Sequence, residues 1–132
     1  MTEFLKKWWP TLLTVAVILY ATLWPDPVGA SEVSLFEHAD KLVHAVMMGG
    51  LVSAVLFDRR RAGKALTRKA ILTAAIGGII FSAADEVAQK LMALGRSWEL
   101  ADFLADMGGI LIACLTAPGV INRIFRKKIS RA

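Results

Sequence analysis

The sequence predicts an all-α integral membrane protein, a bundle of four transmembrane helices with both chain ends on the cytoplasmic side. Of its 132 residues, 56% are hydrophobic, and the mean hydropathy is +0.55. The apolar residues fall into four blocks, each comparable with the roughly 20 residues that cross a bilayer core. Basic residues lie in short stretches beside these blocks, a pattern that sets orientation in membrane proteins. We therefore expect a single domain, residues 1–132.

The first predicted span is residues 9–24, which carry tryptophan at both ends, as in the aromatic belt at a membrane interface. Lys6 and Lys7 precede it, and prolines follow it. An alternative is a cleaved signal peptide, because residues 28–30 resemble a small-x-small cleavage site. We favour a retained helix, because Pro27 is a poor neighbour for a cleavage site and because the other apolar blocks require a membrane in any case.

Three further spans are predicted at residues 40–57, 70–92 and 98–117. The second opens with charged residues and then becomes apolar. The segment 58–69, which follows it, is the most basic of the chain. We expect the fourth span to end at Pro118 and the glycine after it, because proline cannot continue the hydrogen bonding of a helix.

The distribution of charge predicts the orientation. Thirteen of the 16 Lys and Arg residues lie in the N-terminal stretch, in residues 58–69 or in the C-terminal tail, with only Glu3 and Asp58 among the acids. Four spans place all three basic stretches on one side, as the positive-inside rule requires, whereas three or five spans would divide them. The pI near 9.7 does not indicate nucleic-acid binding, since no polar helix or ribbon presents these basic residues.

Small residues recur every four positions on the third and fourth spans. In lipid such ridges let helix backbones approach closely, so we expect them at helix contacts. Cys114 lies in an apolar stretch and is expected to be a packing residue, since free cysteine behaves as a small hydrophobe. The ridge residues are Ala74, Gly78 and Ser82 on the third span and Gly109, Ala113 and Ala117 on the fourth.

The charged residues within the last three spans all lie toward the extracytoplasmic end. Several are spaced i, i+4 and therefore share a helix face. An isolated ionised carboxylate at such depth costs at least about 2.5–3.5 kcal/mol on insertion scales, so these acids should face inward and find partners. We therefore expect one polar, charged cavity. Its residues are Asp40, Lys41, His44, Asp85, Glu86, Gln89, Arg96, Asp102 and Asp106.

Some of these residues have simpler interpretations. Asp40 and Lys41 could form only a polar helix start, where an acid suits the positive end of the helix dipole. His44 could be a satisfied core histidine, and Arg96 could reach from the interface back to water. Asp85, Asp102 and Asp106 fit such interpretations least well because of their depth.

The ordered segments DKLVHAVMMGGL at 40–51, DEVAQKLMALGR at 85–96 and DFLADMGG at 102–109 resemble the VanZ-like membrane proteins, a family named for a protein associated with teicoplanin resistance. The resemblance implies a cell-envelope protein, here of the bacterial cytoplasmic membrane, with a link to glycopeptide resistance. Many members resembling this chain carry Asn where it has Asp106, and the added charge favours a metal or proton-sharing role. The Pro-Gly that often precedes the arginine in the family is missing before Arg96.

The leading hypothesis is that the cavity binds an anionic amphiphile at the outer leaflet: a lipid phosphate, a lipid-linked cell-wall intermediate or a lipophilic glycopeptide. Lys41, Arg96 and protonated His44 would hold the anion. The excess of acids over bases is an objection to this hypothesis.

A second hypothesis meets that objection with a divalent metal, bound by carboxylates and His44, that bridges to a phosphate. The protein would then be an enzyme acting on a lipid head group, with His44 as general base. Its catalytic residues would be His44, Asp85, Glu86 and Asp102. A third hypothesis is a non-enzymatic helper of another membrane protein.

Overall fold

The computed structural model of the chain describes residues 1–24, 39–92 and 100–130, of which 128–130 are described by their backbone alone. Within these residues the structure is all-helical, with four helices and no strand. This confirms the predicted all-α class. The helices are α1 (Thr2–Leu23), α2 (Ala39–Arg61), α3 (Arg68–Leu91) and α4 (Leu100–Ser130).

Three of the described helices are long and apolar enough to cross a membrane: Ala39–Arg61, Arg68–Leu91 and Leu100–Lys127. The chain is therefore a multi-pass membrane protein. Helix α1 is not among the three, because Lys6 and Lys7 lie in its N-terminal part and Thr, Trp and Tyr interrupt its apolar stretch. A span at α1, and the cytoplasmic location of both chain ends, stay predictions.

Helix α2 is central to the bundle. It packs against each of the other three helices, and its contact with α4 is the most extensive. Met48, Val52 and Leu56 of α2 are completely buried, and Ile18 of α1 is nearly so. Cys114 packs against this core, in agreement with its expected role.

The closest approach of α2 and α4 is at glycine. An ideal Cβ built on Gly109 would lie 2.0 Å from the carbonyl oxygen of Ala45, and one on Gly49 would lie 2.9 Å from the carbonyl oxygen of Gly109. Only a residue without a side chain allows this separation. The two small-residue ridges predicted from the sequence are both buried.

Helix α1 begins seven residues before its predicted start and passes through a proline. Pro10 has no N–H, so the carbonyl oxygen of Lys6 has no helical donor. The helix is kinked at Trp8, whose backbone angles are φ −114° and ψ 15°. Arg61 of α2 satisfies the freed acceptors, since its Nη2 donates to the carbonyl oxygens of Lys6 at 2.7 Å and Lys7 at 2.6 Å.

Asp58 completes this junction from the same face of α2. Its Oδ2 accepts from the backbone N–H of Thr11 at 3.0 Å and from the Thr11 hydroxyl at 2.7 Å, while its Oδ1 lies 3.4 Å from Arg61 Nη2. Asp58 is fully buried. Asp58, which the sequence analysis counted with the basic segment 58–69, therefore lies inside α2 and holds α1 in place.

The ends of the other helices also differ from prediction. Helix α2 runs four residues past its predicted end, to Arg61, and Gly63 with φ +77° supplies the left-handed turn that follows. Helix α3 begins after Thr67, whose hydroxyl accepts from the backbone N–H of Ala70.

The predicted end of the fourth helix at Pro118 was wrong, since α4 continues through Pro118 to Ser130. A proline within a helix frees one carbonyl group, a loss that membrane helices tolerate. The predicted start of this helix at 98 and the alternative cleavage site at 28–30 lie outside the described residues.

Candidate functional site

Polar side chains meet at the end of the bundle where α1 and α3 end and α2 and α4 begin. Each of the four helices contributes at least one buried group from its turns at this end. We name this cluster the polar pocket; it consists of Thr22, His44, Ser82, Asp85, Glu86, Gln89 and Asp106, all of them less than 9% exposed.

Asp106 lies at the centre of the polar pocket, with only 1% of its surface exposed. Its Oδ1 lies 3.2 Å from His44 Nδ1, and its Oδ2 accepts a hydrogen bond of 2.5 Å from the Ser82 hydroxyl. In the tautomer with a proton on Nδ1, the imidazole donates to the carboxylate. One side chain of α4 is thereby joined to both α2 and α3.

Asp85 joins α3 to α1. Its Oδ1 accepts from the Thr22 hydroxyl at 2.8 Å, and its Oδ2 accepts from the Gln89 side-chain amide at 3.0 Å. The pair Asp85 and Gln89 shares one helix face, as its i, i+4 spacing predicts. Both carboxylate oxygens of Asp85 thus have partners inside the protein.

Glu86 differs from Asp85 and Asp106, whose carboxylate oxygens all have partners inside the protein. Only 5% of it is exposed, and its Oε1 has no hydrogen-bond partner among the described residues. That oxygen lies 3.9 Å from His44 Nδ1. One ligand atom from each of His44, Glu86 and Asp106 lies within 4.8 Å of the other two. Three groups capable of binding a metal ion therefore converge in the pocket.

Lys41 forms the rim of the polar pocket. Its Nζ lies 3.4 Å from Asp102 Oδ1 and 3.3 Å from Asp40 Oδ2. The Asp102 side chain is only 17% exposed, whereas that of Asp40 is 58% exposed. Asp40 is therefore a surface partner of Lys41, in line with the polar helix start considered above, and Asp102 is the inner partner.

Acidic groups outnumber basic groups in this part of the described structure. The four carboxylates of Asp85, Glu86, Asp102 and Asp106 face one lysine, Lys41, and one histidine. A buried negative charge without a compensating group is costly, more so within a bilayer. This arrangement can lower its energy by sharing protons or by binding a cation.

The structure brings together most of the residues that the sequence singled out. His44, Asp85, Glu86, Gln89 and Asp106 are in the polar pocket, and Lys41 and Asp102 are at its rim. Asp40 is at the surface. Arg96 lies outside the described residues.

Sequence reasoning missed two hydroxyl groups of the polar pocket. Ser82 was interpreted only as a ridge residue, although it precedes Glu86 by four positions and therefore shares its helix face. Thr22 was not singled out in its apolar helix. Its position near the end of α1 that the predicted topology places beside Asp85 was the available signal.

Comparison with known proteins gives the chain a family. The family model described as VanZ/LLP1 matches residues 3–124, which include the helices that form the polar pocket. Searches of curated proteins and of solved structures found no match to the chain. Since the family match covers almost the whole sequence and agrees with the resemblance noted from its motifs, this chain belongs to the VanZ/LLP1 family.

Proposed function

We propose that the polar pocket binds a divalent cation and, through it, the anionic head group of an amphiphile at the outer face of the bacterial cytoplasmic membrane. In this proposal the chain is a single domain of four spans with both ends cytoplasmic. Support comes from charge: the basic end of α2, at Arg59–Arg61, lies at the opposite end of the bundle from the polar pocket. Positive residues favour the cytoplasmic side.

The observation that carries the proposal is the buried, unpartnered oxygen of Glu86. A carboxylate in this state is costly unless a ligand completes its contacts. Ligand atoms that share one ion, each about 2.0–2.2 Å from it, lie no more than about 4.4 Å apart. The distances from His44 Nδ1 to Glu86 Oε1 and Asp106 Oδ1, 3.9 and 3.2 Å, are within this limit.

A bound cation also answers the objection to an anion site. Lys41 is already paired with carboxylates on both sides, and the acid excess of the pocket would repel a second anion. A divalent ion offsets part of that excess and offers open positions to phosphate oxygens, which are good ligands for hard cations. A lipid phosphate or lipid-linked glycan phosphate, held through the ion, is therefore the ligand class we favour. A role in glycopeptide resistance would follow from holding such cell-wall intermediates.

The same ion would suit a metal-dependent enzyme acting on a lipid head group. In that alternative His44 acts as general base and the carboxylates hold the ion. Release of inorganic phosphate from a lipid phosphate, dependent on both the metal and His44, would distinguish reaction from binding.

Titration of the purified protein with Mn²⁺ tests the proposal, using the EPR signal of free Mn²⁺ to count bound ions. We expect saturable binding of about one ion per chain, because the part of the chain that the structure describes holds one group of three ligands. Glu86→Gln and Asp106→Asn should weaken binding at least about tenfold, since even changes beyond the metal ligands cost about 10–100-fold.

Glu3→Gln is the matched control, because it removes the same charge from an exposed side chain far from the pocket. Binding that is unsaturable, or that falls equally with Glu3→Gln, would rule out the polar pocket as the site. Dihexanoyl phosphatidic acid serves as the amphiphile probe: it should bind in the presence of Mn²⁺ and not after chelation.

A further inference from the structure

A cavity lies at the other end of the bundle from the polar pocket, between α1, α2 and α3. Its volume is about 500 Å³, and most of its walls are apolar. Trp8 and Val15 form the α1 wall, Val52 belongs to the α2 wall, and Gly77 and Phe81 belong to the α3 wall. We name this cavity the inner groove. It shares no residue with the polar pocket.

Two cationic side chains lie at one end of the inner groove. Arg59 and Lys69 both line it, and Arg59 is oriented by a hydrogen bond of 3.0 Å from its Nε to the carbonyl oxygen of Ala65. No acidic residue lines the groove among the described residues. The groove therefore offers positive charge at one end and hydrocarbon along its length.

The dimensions of the inner groove match one leaflet of a bilayer. From Lys69 to Phe81 along α3 is twelve residues, or about 18 Å at about 1.5 Å per residue. One leaflet contributes about half of the roughly 30 Å hydrocarbon core. The cationic end is thus at the level of a phospholipid phosphate when the apolar part is at the level of the acyl chains.

We propose that the inner groove binds one anionic phospholipid from the adjacent leaflet, with an acyl chain along the apolar walls and the phosphate against Arg59 and Lys69. Cations near a membrane surface attract anionic lipids. The kink of α1, held by Asp58 and Arg61, sets the position of Trp8 and so shapes one wall of this site. The site is independent of the polar pocket and of the function proposed for it.

The groove can be blocked by adding a side chain at a glycine that lines it. A Cβ built on Gly77 would meet nothing within 4 Å, so a larger side chain there enters the groove without displacing backbone. Gly50 on α2 is also free of neighbours within 4 Å but does not line the groove. Gly77→Leu and Gly50→Leu therefore form a matched pair.

Native mass spectrometry of the full chain tests the proposal, after release from nanodiscs that contain equal amounts of phosphatidylglycerol and phosphatidylcholine. We expect about thirtyfold preferential retention of one phosphatidylglycerol, because each of the two cations contributes about 1 kcal/mol to attraction of an anionic lipid. The double change Arg59→Gln with Lys69→Gln should abolish that preference. The same double change at Arg123 and Arg126, exposed on α4, should not.

Gly77→Leu should remove the retained lipid, and Gly50→Leu should leave it. Equal retention of the two lipids by the unchanged protein would overturn the proposal, as would a preference that survives the change of Arg59 and Lys69. Retention unaffected by Gly77→Leu would place the lipid elsewhere. A dimer that excludes lipid from the groove would assign the surface to a second copy of the chain and would also overturn it.

Discussion

Gly109 on α4 lies so close to Ala45 on α2 that a β-carbon at position 109 would come within 2.0 Å of the Ala45 carbonyl oxygen. Ala45 follows His44 in the chain, and Gly109 is three residues after Asp106. The contact therefore lies next to the pair formed by His44 Nδ1 and Asp106 Oδ1, which are 3.2 Å apart. The backbone separation of two helices determines whether these polar groups meet.

Gly109→Ala should separate α2 from α4 and destabilise the protein by about 1–3 kcal/mol, the usual cost of adding a methyl group to a packed site. Thermal unfolding in detergent measures the loss. Gly108→Ala is the control, because a Cβ at that glycine meets nothing within 4 Å. Equal melting temperatures for the two variants would show that the close approach does not limit stability.

Asp58→Ala should loosen the junction of α1 with α2. The change leaves the part-buried backbone N–H of Thr11 without its acceptor, at a cost of about 1–3 kcal/mol. We expect a lower unfolding temperature and a shift in tryptophan emission, because Trp8 is at the kink. Glu3→Gln should change neither quantity. An unaltered emission spectrum in Asp58→Ala would contradict the role assigned to Asp58.

Thr22→Val tests the link between α1 and the polar pocket. Valine keeps the shape of threonine but cannot donate to Asp85 Oδ1, so the carboxylate loses one of its partners. A hydrogen bond to a charged group is worth about 1.5–3 kcal/mol, which should appear as reduced thermal stability. Thr14→Val is the comparison, since the Thr14 hydroxyl bonds only to the Pro10 carbonyl oxygen in its own helix. If both variants melt alike, the contact with Asp85 contributes nothing.

Ser82→Ala should weaken Mn²⁺ binding about tenfold while leaving one site per chain. Ser82 donates to Asp106 Oδ2 and so orients a proposed ligand without binding the ion itself. Ser53→Ala is the matched change, because the Ser53 hydroxyl donates to the Gly49 carbonyl oxygen within α2. Unchanged affinity in Ser82→Ala would mean that Asp106 needs no support from α3.

The general architecture was predictable because bilayer crossing constrains sequence strongly. Long apolar blocks predicted the four helices, and the i, i+4 spacing predicted that Asp85 and Gln89 share a helix face. The cost of isolated carboxylates in hydrocarbon also predicted that Asp106 would face inward, and its 1% exposure agrees.

The helix ends were not predictable from local sequence. A proline ends a helix or only bends it according to what satisfies the freed backbone groups. For Pro10 the compensating donor is Arg61, 51 positions further along the chain. Asp58, also distant in sequence, accepts a hydrogen bond from the backbone N–H of Thr11. The contribution of Thr22 was equally non-local, because its partner Asp85 belongs to another helix.

Pulsed EPR of protein-bound Mn²⁺ tests the central claim most directly, since it detects nitrogen nuclei coordinated to the ion. The chain has two histidines, so His44→Ala identifies the source of a nitrogen coupling. The account predicts an imidazole coupling in the unchanged protein that His44→Ala removes. Bound Mn²⁺ without nitrogen coupling, or a coupling that persists in His44→Ala, would contradict it.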